Sequence, residues 1–235
     1  MKKRRISAIQ AGFRKGRCTS YHLVKLTSHI KKTGFEEKKY SGHICFVKKA
    51  YYSVRHARLL YKLKNIGITG EMFQYFKNFL SERCICTRVG KTYSSNKKQT
   101  NKQKTKTKLK IMGIPQGSII APVLFNIIIH GLTKALSNNT HVAQYADDIT
   151  VWVNTTLRKH INKRVVSDVQ NLYQSETNML TTYMKENGFE LSREKTCLIL
   201  FNNGENPKSL LQTELDGQLL NYKQNTKFLG VYLLS

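Results

Sequence analysis

Two adjacent carboxylates, Asp147 and Asp148, form the part of this sequence best suited to chemistry. β-Branched and aromatic residues flank them, which predicts short strands at 141–146 and 149–153 and a chain reversal at the Asp pair. Carboxylates held this close repel each other and raise each other's pKa unless a cation lies between them. A divalent metal ion would meet that need. By itself, however, an Asp-Asp dipeptide is most often only a turn. The surrounding sequence must therefore decide whether the pair binds a metal ion.

The charge of the chain indicates a polyanionic partner. Its 235 residues include 40 Lys and Arg against 14 Asp and Glu, a net charge of +26. Nearly all of this excess lies in residues 1–110, whereas 111–235 are almost balanced. A surface of that charge binds nucleic acid by releasing counterions, with little regard to base sequence. Nucleic acid is therefore the expected partner, and an anionic membrane surface is the weaker choice.

Neither a membrane span nor a secretory leader is predicted. The longest apolar run, 119–129, is interrupted by Pro122 and Asn126 and falls short of the roughly 20 residues that a span needs. No apolar region follows the basic N-terminus, as a signal peptide would require. The five cysteines are odd in number and lack Cys-x-x-Cys spacing, which is typical of free thiols in a reducing compartment. We therefore expect an intracellular protein, in the nucleus or the cytoplasm.

The spacing of apolar residues predicts an α+β fold in which helices back a mainly antiparallel sheet. Helices are expected after Thr19 or Ser20, at 59–66, after Thr69, after Ser118 and at 165–183. The expected helix ends are Gly34, Gly67 and Gly188. The helix after Thr69 is expected to have Met72, Phe73, Phe76, Phe79 and Leu80 on its inner side. Further strands are predicted at 43–47, 196–201 and 227–233.

Two basic segments are candidate contacts for phosphate groups. The loop 11–17 combines Arg14, Lys15 and Arg17 with two glycines, which suits close approach to phosphates but is equally typical of a solvated turn. Residues 91–110 include eight lysines and no acidic residue, so this segment cannot bury enough apolar surface to order itself. It is predicted to be a mobile basic loop that either helps to hold a nucleic-acid backbone or is a tolerated low-complexity insertion.

A third loop, Gly113-Ile114-Pro115-Gln116-Gly117-Ser118, leads into an apolar helix. Its glycines and proline predict a tight turn, and Ser118 is a suitable N-terminal cap for that helix. A glycine-rich backbone of this kind lets a ligand approach closely.

Taken together and in order, these segments resemble the reverse transcriptase domain of non-LTR retrotransposons of the LINE and jockey type. The resemblance runs from about Gln10 to the last residues. Its blocks are Gly12-Phe13-Arg14-Lys15-Gly16-Arg17, 49–63, 113–126, Tyr145-Ala146-Asp147-Asp148, 188–196 and Phe228-Leu229-Gly230-Val231. A lone Tyr-Ala-Asp-Asp is a weak signal, but all the blocks occur here in the order that the family has.

The resemblance implies the fingers and palm of a right-handed polymerase, with an antiparallel palm sheet backed by helices. Residues 1–45 would be a basic, partial fingers region, and 46–235 the palm, with fingers helices at 55–82 and the Lys-rich loop at 91–110. The expected partners are an RNA template, a DNA primer and deoxynucleoside triphosphates. Two Mg²⁺ or Mn²⁺ ions about 3.5–4 Å apart would activate the primer hydroxyl and neutralise the triphosphate.

The same resemblance implies roles for individual residues. Asp147 would be the metal ligand of the hairpin, with Asp148 as its neighbour, and Lys195 would lie near the triphosphate as a further catalytic residue. Nucleotide or template contacts would come from Tyr51 as the gate that excludes a 2′-hydroxyl, and from Pro115, Gln116, Gly117, Arg14 and Arg17. Plain structural alternatives remain open, with Tyr51 in the core, Gln116 in a turn and Lys195 on the surface.

One departure from the family pattern concerns the metal site. The family places another metal-binding Asp five residues before the aromatic gate, a position that Phe46 occupies here, and the next familiar Asp falls on Tyr52. The first 146 residues contain no Asp at all. Loss of one charged ligand costs roughly 4 kcal/mol of transition-state stabilisation, about a thousandfold in rate. Polymerase activity is therefore predicted to be weak or absent, and the metal to be weakly bound.

Three functional hypotheses follow from these features. The chain is an RNA-directed DNA polymerase domain, a catalytically inactive nucleic-acid-binding remnant of a mobile element, or a product without function. We expect a partial and degenerate copy, because neither the earlier fingers blocks, the thumb nor an endonuclease segment is recognisable. The oligomeric state stays open.

Overall fold

The computed structural model describes residues 7, 9–36, 39–40, 43–48, 50–81, 84–85, 88–93, 97–98, 112–138, 140–153, 155–156, 163–199, 201 and 212–234. In chain order the helices are α1 (Thr19–Glu36), α2 (Ala50–Ser53), α3 (His56–Asn65), α4 (Gly70–Leu80), α5 (Ala121–Ile128) and α6 (Lys163–Asn187), with a 3-10 turn at Leu132–Lys134.

The strands are short, and most pair with a neighbour in an antiparallel sense. In chain order they are β1 (Lys39–Tyr40), β2 (His43–Lys48), β3 (Cys84–Ile85), β4 (Arg88–Val89), β5 (Thr92–Tyr93), β6 (Lys97–Lys98), β7 (Thr140–Tyr145), β8 (Asp148–Val153), β9 (Thr155–Thr156), β10 (Glu190–Leu191), β11 (Cys197–Leu198), β12 (Glu214–Leu215), β13 (Gln218–Leu219), β14 (Asn221–Tyr222), β15 (Asn225–Phe228) and β16 (Val231–Leu234). Mixed helices and antiparallel strands agree with the predicted α+β class.

The chain divides into two compact units. The first contains 1–48 and 129–235, and the second contains 49–128. This division differs from the expected boundary at residue 46, because α1 and β2 belong to the same unit as the hairpin that carries the Asp pair. The assignment of fingers and palm to particular segments stays a prediction.

The main sheet lies in the first unit, and β8 is one of its interior strands, between β2 and β7. Its strand order is β14-β11-β2-β8-β7, with β10 added along β2, and every pair except β11 with β14 is antiparallel. All residues from Ile149 to Val153 are buried, because both faces of β8 are covered. Trp152 packs with Leu26 of α1, and Val153 packs with Tyr173 of α6. This two-sided packing holds β8, and with it Asp148, in a fixed place.

The predicted hairpin is present, but its reversal lies one residue earlier than expected. Ala146 and Asp147 form the turn, while Asp148 pairs with Tyr145 and begins β8. Ala146 has φ 54°, a left-handed conformation that costs a residue with a Cβ atom roughly 1–2 kcal/mol. The turn therefore needs support from outside the hairpin.

Two of the three expected helix ends are confirmed. After α3 and α6 the chain turns at Gly67 and Gly188, whose φ angles are 89° and 88°. Each glycine donates to a carbonyl three residues back, and the next residue donates five residues back, the paired bonds of a Schellman cap. The prediction for Gly34 is wrong, because α1 continues to Glu36. A glycine inside a helix costs only about 1 kcal/mol and does not by itself end it.

Three local predictions need correction. Met72 of α4 is 58% exposed and is not on an inner face. The helix after Ser118 begins only at Ala121, and the Ser118 hydroxyl accepts from the Ile120 N–H in the turn that precedes it. The single strand predicted at 227–233 is instead the hairpin of β15 and β16. Leu229 and Gly230 both have positive φ, as a tight two-residue hairpin turn requires.

The Lys-rich segment is only partly among the described residues. Thr92 and Tyr93 pair with β4, and Lys97 and Lys98 pair with β3, so these residues lie in short hairpins rather than in a loop without structure. The prediction for 99–110 falls outside the described residues. Among the described residues, no helix is both long and apolar enough to cross a membrane.

Candidate active site

The Asp pair lies at the tip of the hairpin that β7 and β8 form, and β2 runs beside β8. In the register of the sheet, Asp148 stands between Tyr145 of β7 and Phe46 of β2. Directly opposite residues of an antiparallel pair share one face, with Cβ atoms roughly 4.5–5.5 Å apart. The backbone therefore places position 46 next to Asp148 across the two strands.

The electrostatics of the tip favour a cation. Burial raises the pKa of the Asp148 carboxyl, the Asp147 carboxylate raises it further, and the exposed Lys195 opposes both effects. Among the described residues, ion pairs form at Asp216, with Lys185 and Arg193, and none involves Asp147 or Asp148. The described part of the chain also contains no cluster of three or more His, Cys, Asp or Glu with metal-site geometry. Lys195 therefore offsets the negative charge of the two carboxylates only in part, and without a direct ion pair.

The segment before α1 lies alongside the hairpin as an additional edge. Gln10 forms a parallel bridge with Gln144, and the Ala11 N–H donates to the Gln144 carbonyl over 2.9 Å. A Cβ atom at Gly12 would lie 2.4 Å from the Ala146 nitrogen. Only glycine allows this close approach, which explains the first glycine of the basic loop in structural terms.

Gly12→Ala is expected to destabilise the first unit by about 3 kcal/mol, the upper part of the range for overpacking, since the atom it meets is backbone and cannot move aside. Gly16→Ala is the matched control. Gly16 has φ 72° and open space around it, so alanine there should cost only about 1 kcal/mol through backbone strain. Urea denaturation followed by circular dichroism measures both values. Equal losses would show that Gly12 does not pack against the turn.

The two arginines of the basic loop both have partners within the first unit. Arg14 Nη1 donates to the carbonyls of Ser7 and Gln10, over 2.6 and 3.1 Å. Arg17 lies over the ring of Tyr21, 4.6 Å from its centroid. Arg14 therefore organises the loop itself, and contact of either residue with phosphates stays a prediction.

In the second unit, the predicted gate residue and the glycine-rich loop come together. The Tyr51 ring stacks on Phe125 with centroids 4.9 Å apart, and its carbonyl accepts from the Ile114 N–H over 2.8 Å. Tyr52, which is exposed, donates its hydroxyl to Gln116 Oε1 over 3.1 Å. The loop from Gly113 to Ser118 is therefore held against α2. The stacking also gives Tyr51 the core contact that its structural alternative predicted.

Two residues of the site were missed from the sequence, Gln10 and His22. Both are buried, and both contact the hairpin: His22 Nε2 donates to the Gln144 carbonyl over 2.9 Å, and the Gln10 side chain reaches Ala146. Their partners lie more than 120 residues away along the chain. The only available signal was that Gln10 immediately precedes the glycine loop.

A hairpin with two adjacent carboxylates, in a mainly antiparallel sheet and with a further strand paired beside it, is the arrangement expected of a template-directed polymerase domain. The family model described as reverse transcriptase (RNA-dependent DNA polymerase) matches residues 1–233. The chain belongs to this family, and the resemblance seen in its motifs is confirmed.

Curated relatives are similar over nearly the whole chain. It is 25% identical over 238 residues to the RNA-directed DNA polymerase from mobile element jockey of Drosophila funebris, covering 98% of this chain and 23% of that protein. It is 24% identical over 231 residues to the probable RNA-directed DNA polymerase from transposon BS of Drosophila melanogaster, covering 95% and 23%. The chain thus spans less than a quarter of the length of these relatives.

Among solved structures, apo telomerase from Candida tropicalis, truncated from its C-terminal domain, is similar with a TM-score of 0.55. The match covers 96% of this chain and 39% of the telomerase chain at 11% identity. At that identity the likeness concerns the fold alone, and it agrees with the α+β architecture described above.

Proposed function

We propose that this chain is a reverse transcriptase domain of a non-LTR retrotransposon in which nucleotidyl transfer is weak or absent, because Phe46 replaces a metal-binding carboxylate. The observation that carries the proposal is the register of β2 with β8, which sets position 46 opposite Asp148. A third carboxylate there would complete a ligand set of the kind that binds Mg²⁺ or Mn²⁺ through oxygen atoms. A phenylalanine at that position provides no oxygen donor.

Asp147 and Asp148 are the residues that would hold the divalent ions, since among the described residues neither carboxylate forms an ion pair. The ions, when bound, would activate the primer hydroxyl and neutralise the triphosphate. Lys195 would add positive charge on the side of the triphosphate. Tyr51, together with Pro115, Gln116 and Gly117, would contact the incoming nucleotide and the template.

Primer extension tests this function directly. The substrates are a homopolymer RNA template with a DNA primer and the complementary deoxynucleoside triphosphate, with Mg²⁺ and Mn²⁺ in separate reactions. Incorporation by the unaltered chain at the rate of an intact enzyme would contradict the proposed impairment.

A second candidate function is nucleic-acid binding without catalysis, and the charge of the chain favours it. The +26 net charge would be used to neutralise phosphates of an RNA template or a DNA primer in the nucleus or the cytoplasm. Binding of this kind does not need a complete metal site.

Affinity for a single-stranded RNA is expected to fall at least a hundredfold between about 50 and 200 mM salt, because each phosphate contact releases a counterion. Arg17→Gln should reduce the slope of log affinity against log salt by about one if Arg17 contacts a phosphate. Lys185→Gln is the control, since this ammonium already pairs with Asp216. Fluorescence anisotropy of a labelled RNA measures the affinity of the unaltered chain and of both variants at each salt concentration. Affinity that does not change with salt would exclude this second function.

A further inference from the structure

We propose that Gln10 is a positioning residue for the Asp pair: its side-chain amide fixes the backbone of Ala146 and thereby the direction in which Asp147 and Asp148 point. The inference rests on the proposed function only in taking the Asp pair to bind divalent metal ions. The contact itself belongs to the folded chain and is testable without metal or substrate.

The contact joins one side chain to both polar groups of one residue. Gln10 Nε2 donates to the Ala146 carbonyl over 3.2 Å, and the Ala146 N–H donates to Gln10 Oε1 over 2.9 Å. Two bonds of opposite direction define the orientation of the backbone on either side of Ala146, which a single bond would leave free to rotate. Gln10 is 1% exposed, so water does not compete for these groups.

Ala146 is the residue of the hairpin that most needs such support. Its φ of 54° is unfavourable for any residue with a Cβ atom, and Ala146 is the residue of the two-residue turn that has a positive φ. The next residue along the chain is Asp147. A change in the Ala146 backbone would therefore re-aim the carboxylates directly.

Gln10 is itself held in place by neighbours. The Gly12 N–H donates to the same Oε1 over 2.7 Å, and Arg14 Nη1 donates to the Gln10 carbonyl over 3.1 Å. The backbone bridge to Gln144 ties the same segment to β7. The backbone of Gln10 is held by Arg14 and β7, and its side-chain amide is bonded to Gly12 and Ala146. The position of the basic loop therefore determines the position of the Ala146 backbone. This gives Arg14 a role in the site through Gln10.

A second glutamine in the same unit makes the same pair of hydrogen bonds to one backbone residue and supplies a control for their loss away from the hairpin. Gln174 of α6 donates to the Glu214 carbonyl over 3.1 Å and accepts from the Glu214 N–H over 2.8 Å. Glu214 lies in β12, which carries neither carboxylate of the pair. This contact is exposed to solvent, whereas that of Gln10 is buried, so its loss should cost less locally and should leave the hairpin tip unaffected.

The test compares Gln10→Met with Gln174→Met in the full chain. Methionine keeps the length of the side chain and removes its hydrogen bonds. Backbone ¹⁵N order parameters are measured at 146–148, and Mn²⁺ binding is measured by electron paramagnetic resonance of the free ion. For Gln10→Met we expect order parameters at 146–148 to fall from about 0.85 to below about 0.6, and the Mn²⁺ dissociation constant to rise at least tenfold. Gln174→Met should change neither.

Gln10→Glu keeps the test decisive if Gln10→Met does not fold. Glutamate retains an acceptor for the N–H groups of Gly12 and Ala146, but its second carboxylate oxygen replaces the donor and is repelled by the Ala146 carbonyl, so the order at 146–148 is expected to fall in this variant too. Unchanged order at 146–148 in whichever Gln10 variant folds would overturn the proposal. Absence of Mn²⁺ binding in the unaltered chain and in Phe46→Asp would instead contradict the proposed function, and the order parameters would still decide the role of Gln10.

Discussion

Phe46→Asp is expected to raise the rate of primer extension by this domain about a thousandfold, which corresponds to roughly 4 kcal/mol of transition-state stabilisation. The physical reason is the register of the sheet, which sets position 46 directly opposite Asp148. A carboxylate at that point would supply the missing charged oxygen ligand. The measurement is incorporation on a homopolymer RNA template with Mg²⁺ and with Mn²⁺.

Two controls separate a restored ligand from other effects of the substitution. Phe46→Asn introduces a polar side chain of the same size as aspartate but without its charge. This variant should recover at most a small part of the gain in rate. Adding Asp147→Asn to Phe46→Asp should abolish the gain, because the ligand set is again incomplete. If Phe46→Asp shows no incorporation with either metal, the chain lacks more than this one ligand, and nucleic-acid binding becomes the better account of its function.

Trp152→Ala is expected to lower the free energy of unfolding by about 3–5 kcal/mol, a large part of the stability of an ordinary domain. Trp152 has no exposed surface and packs in the core cluster between α1 and the sheet, with Leu26, Ala143 and Phe228 among its members. It lies on β8, the strand that begins with Asp148, so a cavity at Trp152 also loosens the support of the site. Urea denaturation measures the change.

Trp152→Phe distinguishes packing from hydrogen bonding at this position. Among the described residues, Trp152 Nε1 has no hydrogen-bond partner, so phenylalanine loses volume and aromatic contact but no bond. Its cost should be well below that of alanine, about 1–2 kcal/mol. Because this is the single tryptophan of the chain, unfolding must be followed by circular dichroism rather than by fluorescence. Equal costs for both variants would indicate a hydrogen bond that the ring nitrogen makes elsewhere.

Several features of the site could be read from short stretches of sequence, because they depend on neighbours along the chain. The flanking β-branched and aromatic residues predicted the hairpin around the Asp pair, and Gly67 and Gly188 marked true helix ends. A glycine alone does not predict a helix end, because α1 continues past Gly34. Positive φ at Ala146, and at Leu229 before Gly230, could not be inferred, since both residues carry a Cβ atom that disfavours it.

The sequence by itself determined the class of this protein, because its motifs are local and their order along the chain is specific. It also predicted that Phe46 replaces a metal-binding carboxylate. Only the tertiary structure decided that position 46 lies opposite Asp148, that Arg14 supports the loop, and that Gln10 holds the Ala146 backbone from 136 residues away. Such contacts depend on strand register and on buried polar groups finding partners, and neither leaves a periodic or local pattern in a sequence.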